Sequence, residues 1–159
     1  MPTLFTRIIN GELPGRFVHQ DDEVVAFLSI APLRPGHTLV VPRAEVDQWT
    51  DAGDELLHKL MAVAKRIGNA QKEAFGAPRA GQIIAGLEVP HLHVHVFPMW
   101  SEGDFDFAKA KQASDEEFED AHRKLKPALG QLSFGRAGAG AGGSSGCSGQ
   151  DAFLRTSVT

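Results

Sequence analysis

A chain of 159 residues, 42% hydrophobic and 23% charged, has the composition of one globular domain with some additional chain. A formal charge of −4 argues against sequence-independent nucleic-acid binding, which needs a basic face, although a few local groups suffice for a small phosphate ligand. The single cysteine, Cys147, rules out an intramolecular disulfide and a multi-cysteine zinc site.

In chain order, Met1 to Arg7 has neither the basic nor the apolar region of a secretory leader. No apolar run approaches the ~20 residues that span a bilayer, so no membrane partner is expected and the expected location is the cytoplasm. Glu23 to Leu28 reads as a buried strand. Pro32, Pro35 and Gly36 then impose an irregular loop. His37 to Val41 is a second strand, stopped by Pro42. Asp54 to Phe75 is the clearest helix: Leu57, Leu60, Met61, Ala64, Ile67 and Phe75 recur mostly at three- and four-residue steps, and Gly76 and Pro78 end it. Gly81 to Ala85 is a short strand, Gly86 a turn, and Leu92 to Phe97 another strand. Ser114 to Glu117 has the capping-box pattern of a last helix, with Phe118, Ala121, Leu125, Leu129 and Leu132 expected inward and Pro127 expected to kink it. From Ser133 the composition shifts: seven of the 17 glycines lie between Phe134 and Gly149. Such chain has little to bury and much backbone entropy to lose. Residues 1–132 are therefore expected to form the domain and 133–159 a flexible tail.

Strands joined by short loops, with helices between them, predict an α+β fold on an antiparallel sheet. The chain lacks the glycine-rich dinucleotide fingerprint and the phosphate-binding Walker loop. A bound nucleotide would be held in some other way.

The informative segment is Pro90-His91-Leu92-His93-Val94-His95-Val96-Phe97-Pro98. Its period is two. In a strand, Leu92, Val94 and Val96 then face the core, and the three histidines line the opposite face, neighbours roughly 6.5–7 Å apart. One buried histidine is commonly a satisfied core residue; three in register are hard to explain by packing. Two chemical readings remain. In the first, histidines bind zinc with an open water position for hydrolysis. The outer two, roughly 13 Å apart by strand rise, cannot converge on one ion, so a metal would need two of them plus His37 or Glu88. In the second, a neutral imidazole attacks phosphorus. Its ordinary pKa near 6.5 suits that role, and a covalent phospho-histidine splits one hard displacement into two easier ones. The middle position suits the nucleophile, having a histidine on each side to bind phosphoryl oxygens and protonate the leaving group.

The series His91-x-His93-x-His95, with apolar residues between and after, resembles the motif of the histidine-triad (HIT) superfamily. The resemblance extends over roughly Leu4 to Phe97. Phe5 to Pro14 is similar to the N-terminal segment of bacterial members, Asp21 to Phe27 to their next segment, and Pro35 to Pro42 to the segment holding a fourth histidine. The short actinobacterial members fit best. The resemblance implies a HIT-like fold: an antiparallel sheet of about five strands with one long helix and a C-terminal helix, usually paired into a homodimer. It implies a purine nucleotide, AMP-like ligand and attack on its α-phosphorus, with no cofactor and no metal. Carried over by position, His93 is the nucleophile, His95 aids the leaving group, His91 orients His93 and His37 supports the triad. Leu4, Phe5, Ile8, Phe27 and Ile30 fall where the family lines its base pocket, and Val89 falls on the nucleotide-binding turn. A nucleotide-binding module that turns over little and acts through a partner is the alternative.

Several positions depart from that pattern. Ser29 stands where many members hold the ribose with a carboxylate, a stronger acceptor than a hydroxyl. Gly86-Leu87-Glu88-Val89 replaces a usual Gly-Gln-x-Val, so Leu87 cannot donate to phosphate, while Glu88 has counterparts in relatives. The chain between Phe75 and Gly81 is short, leaving Gln82 as the substitute phosphate contact. Met99 stands where many bacterial relatives carry Arg. Glu102 and Asp104, just after Trp100, would disfavour a strongly anionic leaving group.

Overall fold

The computed structural model describes residues 1–134, with side chains through residue 130. The expected glycine-rich tail lies outside the described residues, apart from its first two positions, which continue the last helix.

Five strands form one sheet: β1 (Phe17–Gln20), β2 (Val24–Leu28), β3 (Thr38–Pro42), β4 (Arg79–Ile83) and β5 (Val94–Met99). Their order is β1-β2-β3-β5-β4, and every neighbouring pair is antiparallel. Helices α1 (Leu4–Ile9), α2 (Asp54–Phe75) and α3 (Asp115–Phe134) complete the fold. The α+β class and antiparallel sheet agree with the sequence reading. Strand bounds move by a few residues: the third expected strand runs over Arg79–Ile83, and the histidine strand begins only at Val94. α1 and β1 were not read as elements. At six and four residues they are too short for periodicity to register.

α2 has the expected bounds. Gly76, at φ 64°, supplies the left-handed C-terminal residue that ends it. Leu60, Val63, Ala64, Ile67 and Ala70 are its buried face, whereas Met61, expected inward, is exposed. Position 61 lies next to the seam, and Val63 takes the inward place. The α3 capping box forms: Glu117 N–H donates to Ser114 Oγ at 3.3 Å and Ser114 N–H to the Glu117 carboxylate at 2.8 Å. α3 continues through Pro127.

The sheet has two unlike faces. Val24, Ala26, Leu28, Val40, Val94 and Val96 pack beneath α2 and α3 in one aliphatic core. The alternate residues Val25, Phe27, Leu39 and Val41 form a smaller cluster with Phe5 of α1 on the other face. Buried Gln71 of α2 reaches into the sheet. Its Nε2 donates to the carbonyls of Gly36 and Val96, both at 2.8 Å. One side chain thus holds the backbone beside His37 and beside His95. Gly36 has φ 89°, and a Cβ there would strike the Phe75 ring, so this approach of loop to helix requires glycine.

Candidate active site

The histidine motif enters β5 from an irregular turn, yet its alternation holds. Leu92 joins Val94 and Val96 in the helix-covered core. His91 and His93 are buried on the opposite face, where Phe5 packs edge-on against both, at ring-centroid distances of 5.9 and 4.9 Å. His95 pairs across the sheet with Leu39 of β3. His37, two residues before Leu39, therefore falls beside it. The rings of His93 and His95 lean to 4.8 Å, and those of His37 and His95 to 5.2 Å. The structure thus brings all four histidines together.

Backbone groups fix which nitrogen of each ring holds the proton. Leu33 N–H donates to His37 Nδ1 at 3.0 Å, so the neutral ring carries its proton on Nε2. That proton is donated to His95 Nδ1, 3.0 Å away. His95 must then carry its own proton on Nε2. His93 lies the other way round. Its Nδ1 is 2.7 Å from the His91 carbonyl, which only accepts, so Nδ1–H donates and Nε2 keeps a free lone pair. One ring offers a lone pair, and its neighbour offers an N–H.

Burial keeps His37, His93 and His95 uncharged. Burial, with the neighbouring His95 and His93, pushes His37 down to about 3. Burial and His93 push His95 down to about 4. His93 is lowered too, by burial first; the His91 carbonyl opposes this, and repulsion from the His91 ring adds to it. Desolvation disfavours the charged imidazolium in each case.

The other expected site residues divide. Phe5 and Phe27 meet edge-on at 5.6 Å, and Ile8 and Val89 pack on the same cluster. These four form an apolar floor next to His93. Leu4 and Ile30 are exposed and stand outside that cluster, and Glu88 is also exposed. Ser29 is half-buried and lines a cavity of about 340 Å³ shared with His37, Arg34 and Lys111. Gln82 does not join the site. It pairs with Val96, whose side chain faces the helices, and its amide lies 3.3 Å from Met61 Sδ. The strand alternation that gathers the histidines sends Gln82 to the other face. Leu87 is 95% exposed. Asp104 is not a free charge: it pairs with Arg34 at 2.9 Å and accepts the N–H groups of Trp100 and Ser101.

Sequence reasoning missed several neighbours. Phe107 packs edge-on against His95 at 5.2 Å, and Phe105 against Phe97 at 5.1 Å. Both come from 3-10 turns after β5, and two aromatics in an acidic loop were the available signal. Arg34 stacks on Trp100 at 4.8 Å. Thr3 caps α1 and lies 2.6 Å from His91 Nδ1, and a Thr-x-x-Thr pattern marks the place.

The donor set does not suit a zinc centre. Both nitrogens of His37 and of His91, and Nδ1 of His93 and of His95, are already engaged. Two Nε2 atoms remain, fewer than the three protein ligands of a catalytic zinc. Among the described residues, no group of three His, Cys, Asp or Glu side chains could hold a metal ion.

The sequence model of the HIT domain family matches residues 10–101. The chain belongs to the histidine-triad family. It is 32% identical over 127 residues to an uncharacterized HIT-like protein of Methanocaldococcus jannaschii, covering 77% of this chain and 98% of that one. It is 33% identical over 96 residues to the adenosine 5′-monophosphoramidase of Saccharomyces cerevisiae, covering 60% and 61%. A solved structure of a zinc-bound histidine triad protein from Mycobacterium smegmatis superposes with a TM-score of 0.72 at 29% identity, covering 82% of this chain and 94% of that one. The five-stranded antiparallel sheet with its helices is thus the HIT fold. Among the described residues, no helix is long and apolar enough to cross a membrane.

Proposed function

We propose that this HIT protein hydrolyses purine nucleoside phosphoramidates or related nucleotide conjugates by way of a nucleotidyl-His93 intermediate. The observation that carries this reading is the opposed protonation of adjacent rings: a lone pair on His93 Nε2 beside a proton on His95 Nε2. The yeast relative acts on an adenosine phosphoramidate, which agrees with that chemistry. In the first step a His93 Nε2–P bond forms as the bond from phosphorus to the leaving amine breaks. The leaving nitrogen accepts a hydrogen bond from His95 Nε2–H and departs as the amine with a proton taken from solvent. Water then attacks phosphorus and gives its proton to solvent, and the Nε2–P bond breaks to release the nucleoside monophosphate. The apolar floor of Phe5, Phe27, Ile8 and Val89 takes the base. Ser29, offering only a hydroxyl to the ribose, makes for a weakly held nucleotide.

The test is AMP release from adenosine 5′-phosphoramidate, beside His93→Ala. The expected result is turnover by the native chain and a loss of about 10³-fold or more in the variant, the scale of removing a covalent nucleophile. Equal turnover by both would exclude His93 as nucleophile. Silence of both, with AMP still raising the melting temperature, would instead favour a binding module. Chelator treatment is expected to leave the rate unchanged, because the proposed step uses no metal.

A further inference from the structure

His91 is the triad member whose ring faces away from the reacting nitrogens, and its surroundings are more elaborate than packing requires. Its Nε2–H donates to the Pro42 carbonyl at 2.8 Å, and its Nδ1 lies 2.6 Å from Thr3 Oγ1. Thr3 Oγ1 lies 3.0 Å from Thr6 Oγ1 and accepts the Thr6 N–H at 3.1 Å. The Thr6 hydroxyl donates to the Glu45 carboxylate, and Thr3 N–H donates to the same oxygen at 3.0 Å. Glu45 itself is exposed, in the chain that follows β3. A continuous set of polar contacts therefore runs from a surface carboxylate, through two hydroxyls of α1, to a ring whose own carbonyl holds the Nδ1–H of His93.

We propose that Thr3, Thr6 and Glu45 form a positioning network for His93, acting through His91. The inference rests on the nucleotidyl-His93 reading for its kinetic consequence, though not for its structural one. The geometry gives the network two tasks. It clamps the His91 ring between Pro42 and Thr3, which fixes the direction of the carbonyl that sets the His93 proton. It also docks the first turn of α1, whose Phe5 packs on both rings. The base-pocket wall and the nucleophile thus share one anchor. The carboxylate is the part that cannot be replaced by packing. It accepts from both Thr3 and Thr6, and a charged acceptor holds such donors about twice as strongly as a neutral one. In keeping with this, the Thr6 hydroxyl, then the Thr3 N–H, hold the Glu45 carboxyl below its ordinary range.

Thr6→Val, nearly isosteric, removes the hydroxyl that joins Thr3 Oγ1 to Glu45 and leaves only the Thr3 N–H bond to the carboxylate. Two readouts on the full chain separate positioning from simple capping of α1. The first is turnover of adenosine 5′-phosphoramidate: kcat is expected to fall about 5- to 20-fold, with KM within about twofold, the scale of a small misplacement of a reacting group. The second is the ring-nitrogen signals of 15N-labelled histidine. His91 is expected to shift while His37 and His95 stay, which also reports an intact fold. Thr6→Ser, which keeps the hydroxyl, is expected to restore both, and Glu45→Gln to give a weaker version of the Thr6→Val effects. An unmoved His91 in Thr6→Val would overturn the proposal, as would a raised KM at unchanged kcat, which would leave the network a base-pocket strut. Should the native chain turn over no phosphoramidate, the reaction reading fails by itself, and the His91 signals alone decide the network.

Discussion

The two faces of this sheet are made from alternate residues of the same strands, yet they are built on different principles. Beneath α2 and α3 the buried residues Val24, Ala26, Leu28, Val40, Val94 and Val96 are aliphatic, with Thr38 and Gln71 as buried polar exceptions. This face is chiefly apolar, and its contribution scales with area removed from water. The other face is aromatic and imidazole, floored by a six-residue helix and partly open. Polar rings are buried there only because each finds a backbone or side-chain partner. The strands divide their labour at two-residue resolution. One side chain of each pair holds the strand down, and the next is held out for chemistry.

If the division is real, the faces should fail separately. Leu60→Ala empties a fully buried site on the helix side and should cost about 2–5 kcal/mol of stability. Turnover per folded molecule should change less than about twofold. Urea denaturation with parallel activity assays checks both numbers. A tenfold loss of activity in the folded fraction would show that the cavity reaches the histidines, and that the faces are coupled through the strands.

Acid separates the two faces, because the described residues of the aliphatic cluster carry no titratable group. The folded chain holds His37 down to about 3 and His95 down to about 4, against an ordinary value near 6.5. Below pH 6.5 the unfolded chain binds protons that the folded chain refuses. Stability is therefore fully present above 6.5 and is lost as pH falls towards the folded values. His37 alone should account for about 2 kcal/mol lost between pH 7 and pH 5. Urea midpoints at the two pH values should differ in the native chain and differ less in His37→Asn, where His95 still refuses protons. Equal midpoints in the native chain would mean that the rings take up protons without penalty.

The sequence showed one face better than the other, for a physical reason. Periodicity and apolar runs report burial, so α2, the apolar runs of β2 and β3, and the His-x-His-x-His alternation were all legible. It cannot report contacts made by residues distant in sequence. Gln71 looks like one more polar helix residue until its amide is seen to bridge Gly36 and Val96. Gln82 was assigned to the site by position, and only the register against Val96 shows it on the far side. Asp104 read as a free charge because its partner, Arg34, lies seventy residues earlier. The protonation of each ring depends on carbonyls and N–H groups that no side-chain pattern encodes. The fold was legible from the aliphatic half of the alternation, but the working details of the site come from the loops that meet over the other half.

Phe107 tests the boundary of the open face. It covers the edge of His95, itself remaining about half exposed, and so belongs partly to packing and partly to the solvent. Burial is the largest reason that His95 stays uncharged, with repulsion from His93 second. Removing the ring should let water reach the imidazole and relax the first cause while leaving the second. Phe107→Ala is therefore expected to raise the His95 value by roughly one pH unit, equivalent to about 1.4 kcal/mol, and to leave His37 unchanged behind the sheet edge. A histidine titration followed by NMR measures this directly. If His95 titrates as before, its lowered value is owed to the strand and to His93, and the aromatic loop shapes the site without tuning His95.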